Sequence, residues 1–366
     1  MKKILLIIGV ALLVGGSGYL IWQFMADQNA GAPASEDIAT EEPRLKNEPK
    51  SVSGESILAY WINKTDGAPF YINSAGQVVK IDGNVAQTVS SQAPKSINSL
   101  ESSADGTSAI VGFGYPQGLS FTIFNSVNSG WQGLPSGTLA VSWSPTDNNR
   151  LVYLRENGTL NRLYTYDVSL RRSTEVFRTA QKDIEIDWAT PDLVYFKERA
   201  TAGLTGSLWS FNLKTSAFRR VIKDEAGLIL KWSSSGQEAI KFSSLNRQNS
   251  LALVNAAGIS LGNLANLITL PSKCTFNLDR IEIYCAAPNS FGSSALPDDY
   301  WKRKIYTADN IYIIPLSSEG HRPLGGALPL FVSSDDLIID ADQLEVHGDK
   351  LYFINRYDNK LYSLAL

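Results

Sequence analysis

The feature that most narrows what this chain can fold into is a repeat. Trp143, Trp188, Trp232 and Phe276 stand 45, 44 and 44 residues apart. Their contexts are alike: LAVSWSP, IEIDWAT, LILKWSS and SKCTFNL. After each comes a second apolar run (LVYL, LVYF, AIKF, IEIY) and a third (LYTYDV, LWSFNL, LALVNA, IYIIPL). A period in the forties carrying several short strands is that of a propeller blade, one four-stranded sheet per repeat around a central axis. Amphipathic helical spacing is absent from the whole of this region, which leaves an all-β chain. Trp143, Trp188, Trp232 and Phe276 are then equivalent core positions of successive blades.

We letter the strands of a blade a to d from the axis outward. In the first unit ILAYWIN reads as strand b, PFYINS as c and QVVKID as d. The second begins with a weaker strand a, INSLES. Clean copies run from Leu139 to about Leu264, a sixth unit covers roughly Leu270 to Val332, and a seventh offers DQLEV, KLYFINR and KLYSLAL as a, b and c. Counting b–c pairs gives seven blades, with six as the alternative. The first unit lacks a strand a and the last a strand d. An open sheet edge invites aggregation, so residues just before Ile57 are expected to supply a missing strand, or two incomplete units share the closure.

Composition fits this reading. Only 19% of the 366 residues are charged and 10% are aromatic, as suits many half-buried strands. A net charge of −3 argues against a nucleic-acid partner. Two histidines and two cysteines, with no CxxC or HxxxH spacing, leave no metal centre or cofactor to expect. His321 and His347 both lie in turn-like contexts with no serine nucleophile beside them, so no catalytic residue is assigned.

Residues 1–25 read MKKILLIIGVALLVGGSGYLIWQFM. An uncharged run from Ile4 to Trp22 reaches roughly 28 Å as a helix, close to the ~30 Å hydrocarbon core. Lys2 and Lys3 place its start in the cytoplasm, and Tyr19 and Trp22 suit the far interface. An uncleaved transmembrane signal-anchor is therefore expected, with a cleaved signal peptide as the competing reading. Residues 26–55 are rich in Ala, Glu, Pro and Ser and read as a disordered extracytoplasmic linker. The propeller is assigned to 56–366.

Cys274 and Cys285 flank the a–b hairpin of unit six. With its turn on Asp279-Arg280, opposed residues have numbers summing to 559, and the cysteines do. They are direct cross-strand neighbours within disulfide reach, on the face of Phe276 and Ile283. Outside the cytoplasm the bond would persist.

The clean units resemble TolB-like (WD-like) propeller repeats. The resemblance rests on strand a ending in W-S (VSWSP, LKWSS), then an LVYL-type strand and a YDV- or FNL-type strand. The stretches KCTFN, IYCAAP, LPDDYW and LYFINRYDNKLYSLAL also resemble membrane-anchored bacterial propeller proteins. The resemblance to TolB implies a protein-binding platform, not an enzyme.

Unit six carries the longest b–c connection, about 24 residues from Ala286 to Asn310. It holds Asp298, Asp299, Tyr300, Trp301, Lys302 and Arg303, and exposed Trp, Tyr and Arg are hot-spot residue types. This loop either presents a partner-binding surface or folds over the propeller face with Trp301 buried as a plug. The expected role is a non-enzymatic binding or scaffold module of the cell envelope, anchored in the membrane, with another envelope protein as partner. The alternatives are an enzyme acting on envelope glycans (hydrolase or lyase), which needs carboxylates or tyrosines from several blades to converge on the channel, and an accessory or sensor subunit.

Overall fold

The computed structural model describes residues 48–199, 201–245 and 248–366. The expected membrane segment, and the linker up to residue 47, lie outside them. No helix among the described residues is long and apolar enough to cross a membrane.

The described residues form seven four-stranded antiparallel sheets, arranged as the blades of a propeller. The strand sequences explain why they form a ring. Strand b of blade three, Arg150–Asn157, is buried at four consecutive positions from Leu151 to Leu154. A strand covered on both faces needs an unbroken apolar run, and only a blade sandwiched between two neighbours supplies two covered faces. Strand d lies outermost and reads polar: in Arg172–Thr179 the first three residues are exposed. Each junction between adjacent blades has its own apolar cluster. One joins Val152, Leu154 and Leu163 of blade three to Ile186, Trp188 and Phe196 of blade four. Another joins Ile57, Tyr60 and Ile62 of blade one to Tyr352, Ile354 and Leu361 of blade seven. That last cluster closes the circle.

The first blade differs from the expectation. Ile57–Ile62 is its innermost strand, not strand b, and the order continues through Pro69–Asn73, Val78–Asp82 and Val85–Ser90. Blade one is complete in itself. The equivalence is visible at the a–b turns, where the N–H groups of Asn63, Ser103, Ser144 and Ser233 donate to the carbonyls of Ala68, Ser108, Arg150 and Glu238. Ile62 and Ser102 therefore occupy the rungs that Trp143 and Trp232 hold in later blades. With no aromatic there, the ladder is invisible in the first two repeats.

Blade seven lacks only its outer strand, and the chain before Ile57 provides it. Lys50–Ser51 pairs with Lys360–Ala365, in register Lys50 with Ser363 and Ser51 with Tyr362. The N–H of Val52 donates to the Leu361 carbonyl at 2.7 Å, and the Ser53 hydroxyl accepts from the Leu361 N–H at 3.0 Å. The propeller thus takes in residues ahead of 56. In blade six, Cys274 and Cys285 are opposed in register and joined by a disulfide, both fully buried.

Gly236 shows how closely the blades pack. It sits in an a–b turn at φ +67°, where a Cβ would lie 1.8 Å from the Ala189 carbonyl oxygen of the previous blade. Only glycine fits there.

Two measurements check this architecture. A chain beginning at Ser56 lacks the closing strand and is expected to unfold at lower temperature than one beginning at residue 48, and to aggregate through the exposed Lys360–Ala365 edge. Replacing both Cys274 and Cys285 by alanine should cost about 2–3 kcal/mol, read as a lower urea midpoint. An unchanged midpoint would mean the staple constrains little.

Candidate functional site

The long connection of blade six lies over the face of the propeller where the innermost strands begin. It leaves strand b (Glu282–Pro288), makes one helical turn at Asp298–Trp301, and returns as strand c (Asp309–Pro315). The acidic pair fixes the turn. Asp298 Oδ2 accepts from the Ala202 N–H at 2.7 Å, tying the insertion to blade four. Asp299 Oδ2 accepts from the Ala295 N–H at 2.9 Å, and that bond with the nearby Lys304 ammonium holds its carboxyl below the ordinary range.

Successive side chains on a helical turn point about 100° apart, so Tyr300 and Trp301 cannot share a face. Tyr300 is 2% exposed and Trp301 is 54% exposed. The plug is therefore Tyr300, and the reading in which Trp301 is buried is corrected. Lys302 and Arg303 are exposed, and Arg303 Nη2 donates to Asn359 Oδ1 at 3.3 Å.

A buried ionic cluster that sequence reasoning missed holds the plug. Lys273 Nζ donates to Asp309 Oδ2 at 2.6 Å, Asp340 Oδ1 at 2.7 Å and Thr307 Oγ1 at 2.7 Å. Arg356 Nη1 donates to Asp340 Oδ2 at 2.8 Å, and Nη2 to the Tyr300 carbonyl at 2.9 Å. The guanidinium lies 3.7 Å from the centroid of the Tyr300 ring. Lys273, Asp309 and Asp340 are fully buried, and burial raises the Asp309 carboxyl above its ordinary range against the pull of Lys273. Two cations and two carboxylates cancel, and their short hydrogen bonds offset the cost of taking each ion out of water. No pattern flagged it, because its members come from four places in the chain and each is an ordinary charged residue on its own.

Around the fixed Tyr300 the outer surface is aromatic and basic. Trp301, Tyr306 and Tyr357 are all largely exposed, and the two tyrosines pack with centroids 5.5 Å apart. Beside them is a depression of about 350 Å³ lined by Leu58, Ile97, Trp301, Arg303 and Gln343.

Trp301 and Arg303 also stand at one mouth of the central channel, whose volume is about 1030 Å³. Glu101, Lys231 and Glu345 line it, from the innermost strands of blades two, five and seven. Glu101 Oε1 accepts from Ser142 Oγ at 2.9 Å and from the Trp143 N–H at 2.8 Å. Burial pushes its carboxyl up to about 8. Lys231 Nζ donates to the carbonyls of Cys274 at 2.7 Å and Leu344 at 2.8 Å, and burial pulls it down to about 8. Among the described residues no three His, Cys, Asp or Glu side chains are placed to hold a metal ion.

The expected rungs lie along this ring. Trp143 Nε1 donates to the Glu101 carbonyl at 3.1 Å, and the Trp188 N–H donates to Ser142 Oγ at 3.0 Å. Trp232 stacks on Tyr195 with centroids 4.2 Å apart, and Phe276 packs into the cluster between blades five and six.

Solved propellers share this architecture. The oligogalacturonate lyase of Vibrio parahaemolyticus is 11% identical, covering 87% of this chain and 93% of its own, with a TM-score of 0.58. The β-propeller domain of the Trilobed protease from Pyrococcus furiosus, described as having an open velcro topology, is 10% identical over 84% of this chain and 95% of its own, with a TM-score of 0.54. TolB from Acinetobacter baumannii is 14% identical over 72% of this chain, with a TM-score of 0.44, and this chain spans 61% of its length. At such identities the likeness is one of fold alone. No family model matches the chain, and no curated protein matches it.

The ionic cluster makes its own prediction. Asp340→Asn leaves Lys273 and Arg356 short of a charge and should cost about 3–5 kcal/mol in denaturant unfolding. Tyr300→Phe removes only a 3.4 Å contact from its hydroxyl to Asp340 and should cost less than about 1 kcal/mol.

Proposed function

We propose that this chain is a membrane-anchored propeller displayed outside the cytoplasm, a non-enzymatic scaffold that binds another envelope protein through the blade-six face. One observation carries the reading: Trp301 and Arg303 project to solvent from a turn whose neighbour Tyr300 is locked in a buried ionic cluster. Tryptophan brings a large apolar surface with only two rotatable bonds, and arginine a planar head with five donors, which is why both are enriched among the residues that dominate interface energetics. The partner surface that fits is apolar with a carboxylate rim, to take Trp301 and to pair with Arg303.

A second reading is an enzyme acting on envelope glycans, as one neighbouring fold is an oligogalacturonate lyase. The convergence of Glu101 and Glu345 on the channel favours it. The two readings separate experimentally. A photo-crosslinking residue at position 302, in cells displaying the full chain, should trap a discrete membrane-protein species. Trp301→Ala with Arg303→Glu should abolish that species without lowering the melting temperature. The same crosslinker at Val127, exposed in a peripheral turn of blade two, should trap nothing. Equal trapping at both positions would remove the interface. Glycan cleavage by wild type but not Glu101→Gln would replace it with the enzyme.

A further inference from the structure

The outermost strand d of each blade leaves one row of backbone groups open, and the blades protect that row in different ways. Four of the strands are short: Lys50–Ser51 has two residues, and Gly130–Gly133, Ser260–Asn263 and Leu328–Phe331 have four each, the last with Pro329 inside it. Two are long and charged: Arg172–Thr179 carries Arg172, Glu175 and Arg178, and Phe218–Ala226 carries the pairs Arg219-Arg220 and Asp224-Glu225. Shortness, charge and proline are the devices that keep an edge strand from pairing with another chain. Val85–Ser90 of blade one has none of them. It runs six residues as VAQTVS with its first four exposed, and Val85 is 67% exposed.

The register places its free groups. Asp82 and Val85 pair across the two-residue turn Gly83-Asn84, which makes them a hydrogen-bonded pair, and alternation makes Lys80 and Gln87 the next. Ala86 and Thr88 therefore turn their N–H and C=O groups outward, and no backbone hydrogen bond among the described residues reaches either. Past Thr88 the strand bulges at Val89, and the Ser90 hydroxyl accepts from Trp131 Nε1 at 3.0 Å, tying its far end to blade two. The flanking outer strands, Lys50–Ser51 of blade seven and Gly130–Gly133 of blade two, are both short, so neither crowds this edge.

We propose that Val85–Ser90 is a dimerisation edge, which pairs antiparallel with the same strand of a second copy of this chain, with Gln87 on the two-fold axis. Two observations select a second copy. The free groups are self-complementary: with Gln87 opposite Gln87, Ala86 of each copy meets Thr88 of the other, and every outward N–H finds an outward C=O. The strand is also uncharged, so a two-fold axis that sets it against itself brings no like charges together. On strand c behind it, Lys80 is paired with Asp66 at 2.7 Å, and Asp82 lies at the turn, away from the axis. Antiparallel pairing turns one propeller over relative to the other. Because the edge lies on the rim, both blade-six faces stay open, and the dimer does not rest on the interface proposed for them. The contact is small and belongs with the weak, transient interfaces below about 1,200 Å².

Cysteine trapping of the full chain in membranes tests the proposal, since its only two cysteines are already joined to each other. Gln87→Cys sets two thiols across the axis in a non-hydrogen-bonded pair, where Cα atoms lie about 4.5 Å apart, within disulfide reach. Mild oxidation should give a disulfide-linked dimer in at least about tenfold greater yield than Val127→Cys, an exposed position in a turn of blade two. Adding Thr88→Pro removes an outward N–H and no internal one, and should cut that yield about tenfold or more in a protein that still folds. Differently tagged Gln87→Glu and Gln87→Lys chains give a second readout: each should fail to co-purify with itself, and the two should co-purify with each other. Equal yields from Gln87→Cys and Val127→Cys, a yield indifferent to Thr88→Pro, a charge-swapped mixture that does not pair, or a Gln87→Cys adduct to a different protein would each overturn the dimer. Trp301→Ala with Arg303→Glu should leave it intact, and loss of the dimer in that variant would move the contact to the blade-six face.

Discussion

The structure depends on ring closure. Every blade buries its middle strands between two neighbours, so no blade has a complete core by itself. The junction between blades seven and one joins parts of the chain some three hundred residues apart, with Tyr60 Oη donating to the Tyr352 carbonyl at 3.1 Å. Two residues, Lys50 and Ser51, cover the outer edge of the last sheet. Their hydrogen bonds are few, but without them Lys360–Ala365 would present unpaired N–H and C=O groups on a flat strand. Local pairing and long-range apolar contact thus support the same closure.

The closed ring in turn gives the blade-six insertion a floor to dock on. Lys273 precedes strand a of blade six, Asp309 begins its strand c, and Asp340 and Arg356 belong to the edges of blade seven. Only when those blades are packed side by side do the four charges meet and cancel. The cancellation matters because a lone buried charge costs several kcal/mol, whereas a hydrogen-bonded, neutral set can be held. Tyr300 is fixed by that set, and Trp301 faces solvent because it is the next residue on the same helical turn. Neither the identities nor the spacing of Tyr300 and Trp301 could have said which would be buried. That choice was made by Arg356, which stacks on one ring and leaves the other free.

The centre of the ring follows a different rule from its junctions. Seven innermost strands enclose a space that side chains do not fill, and charged residues line it among apolar ones. Charged groups there are desolvated enough to shift yet still face the channel, as the opposite displacements of Glu101 and Lys231 show. Lysines from blades one and five share that space with Glu101 of blade two and Glu345 of blade seven, so the lining differs from blade to blade although the scaffold repeats.

Much of the fold was legible because propeller repeats are local. The Trp143, Trp188, Trp232 and Phe276 spacing, the unbroken apolar runs of strand b and the cross-strand position of Cys274 and Cys285 all follow from pleat and turn geometry within one blade. Where a local mark is missing the sequence misleads: Ile62 and Ser102 are not aromatic, so Ile57–Ile62 reads as strand b although it is the innermost strand of its blade. What the chain alone could not decide are the meetings of distant residues: Lys50–Ser51 on Lys360–Ala365, Lys273 with Asp309 and Asp340, Lys231 with the carbonyls of Cys274 and Leu344. Spacing encodes which side of a strand a residue faces. Which neighbour it meets is settled only when the seventh blade packs against the first.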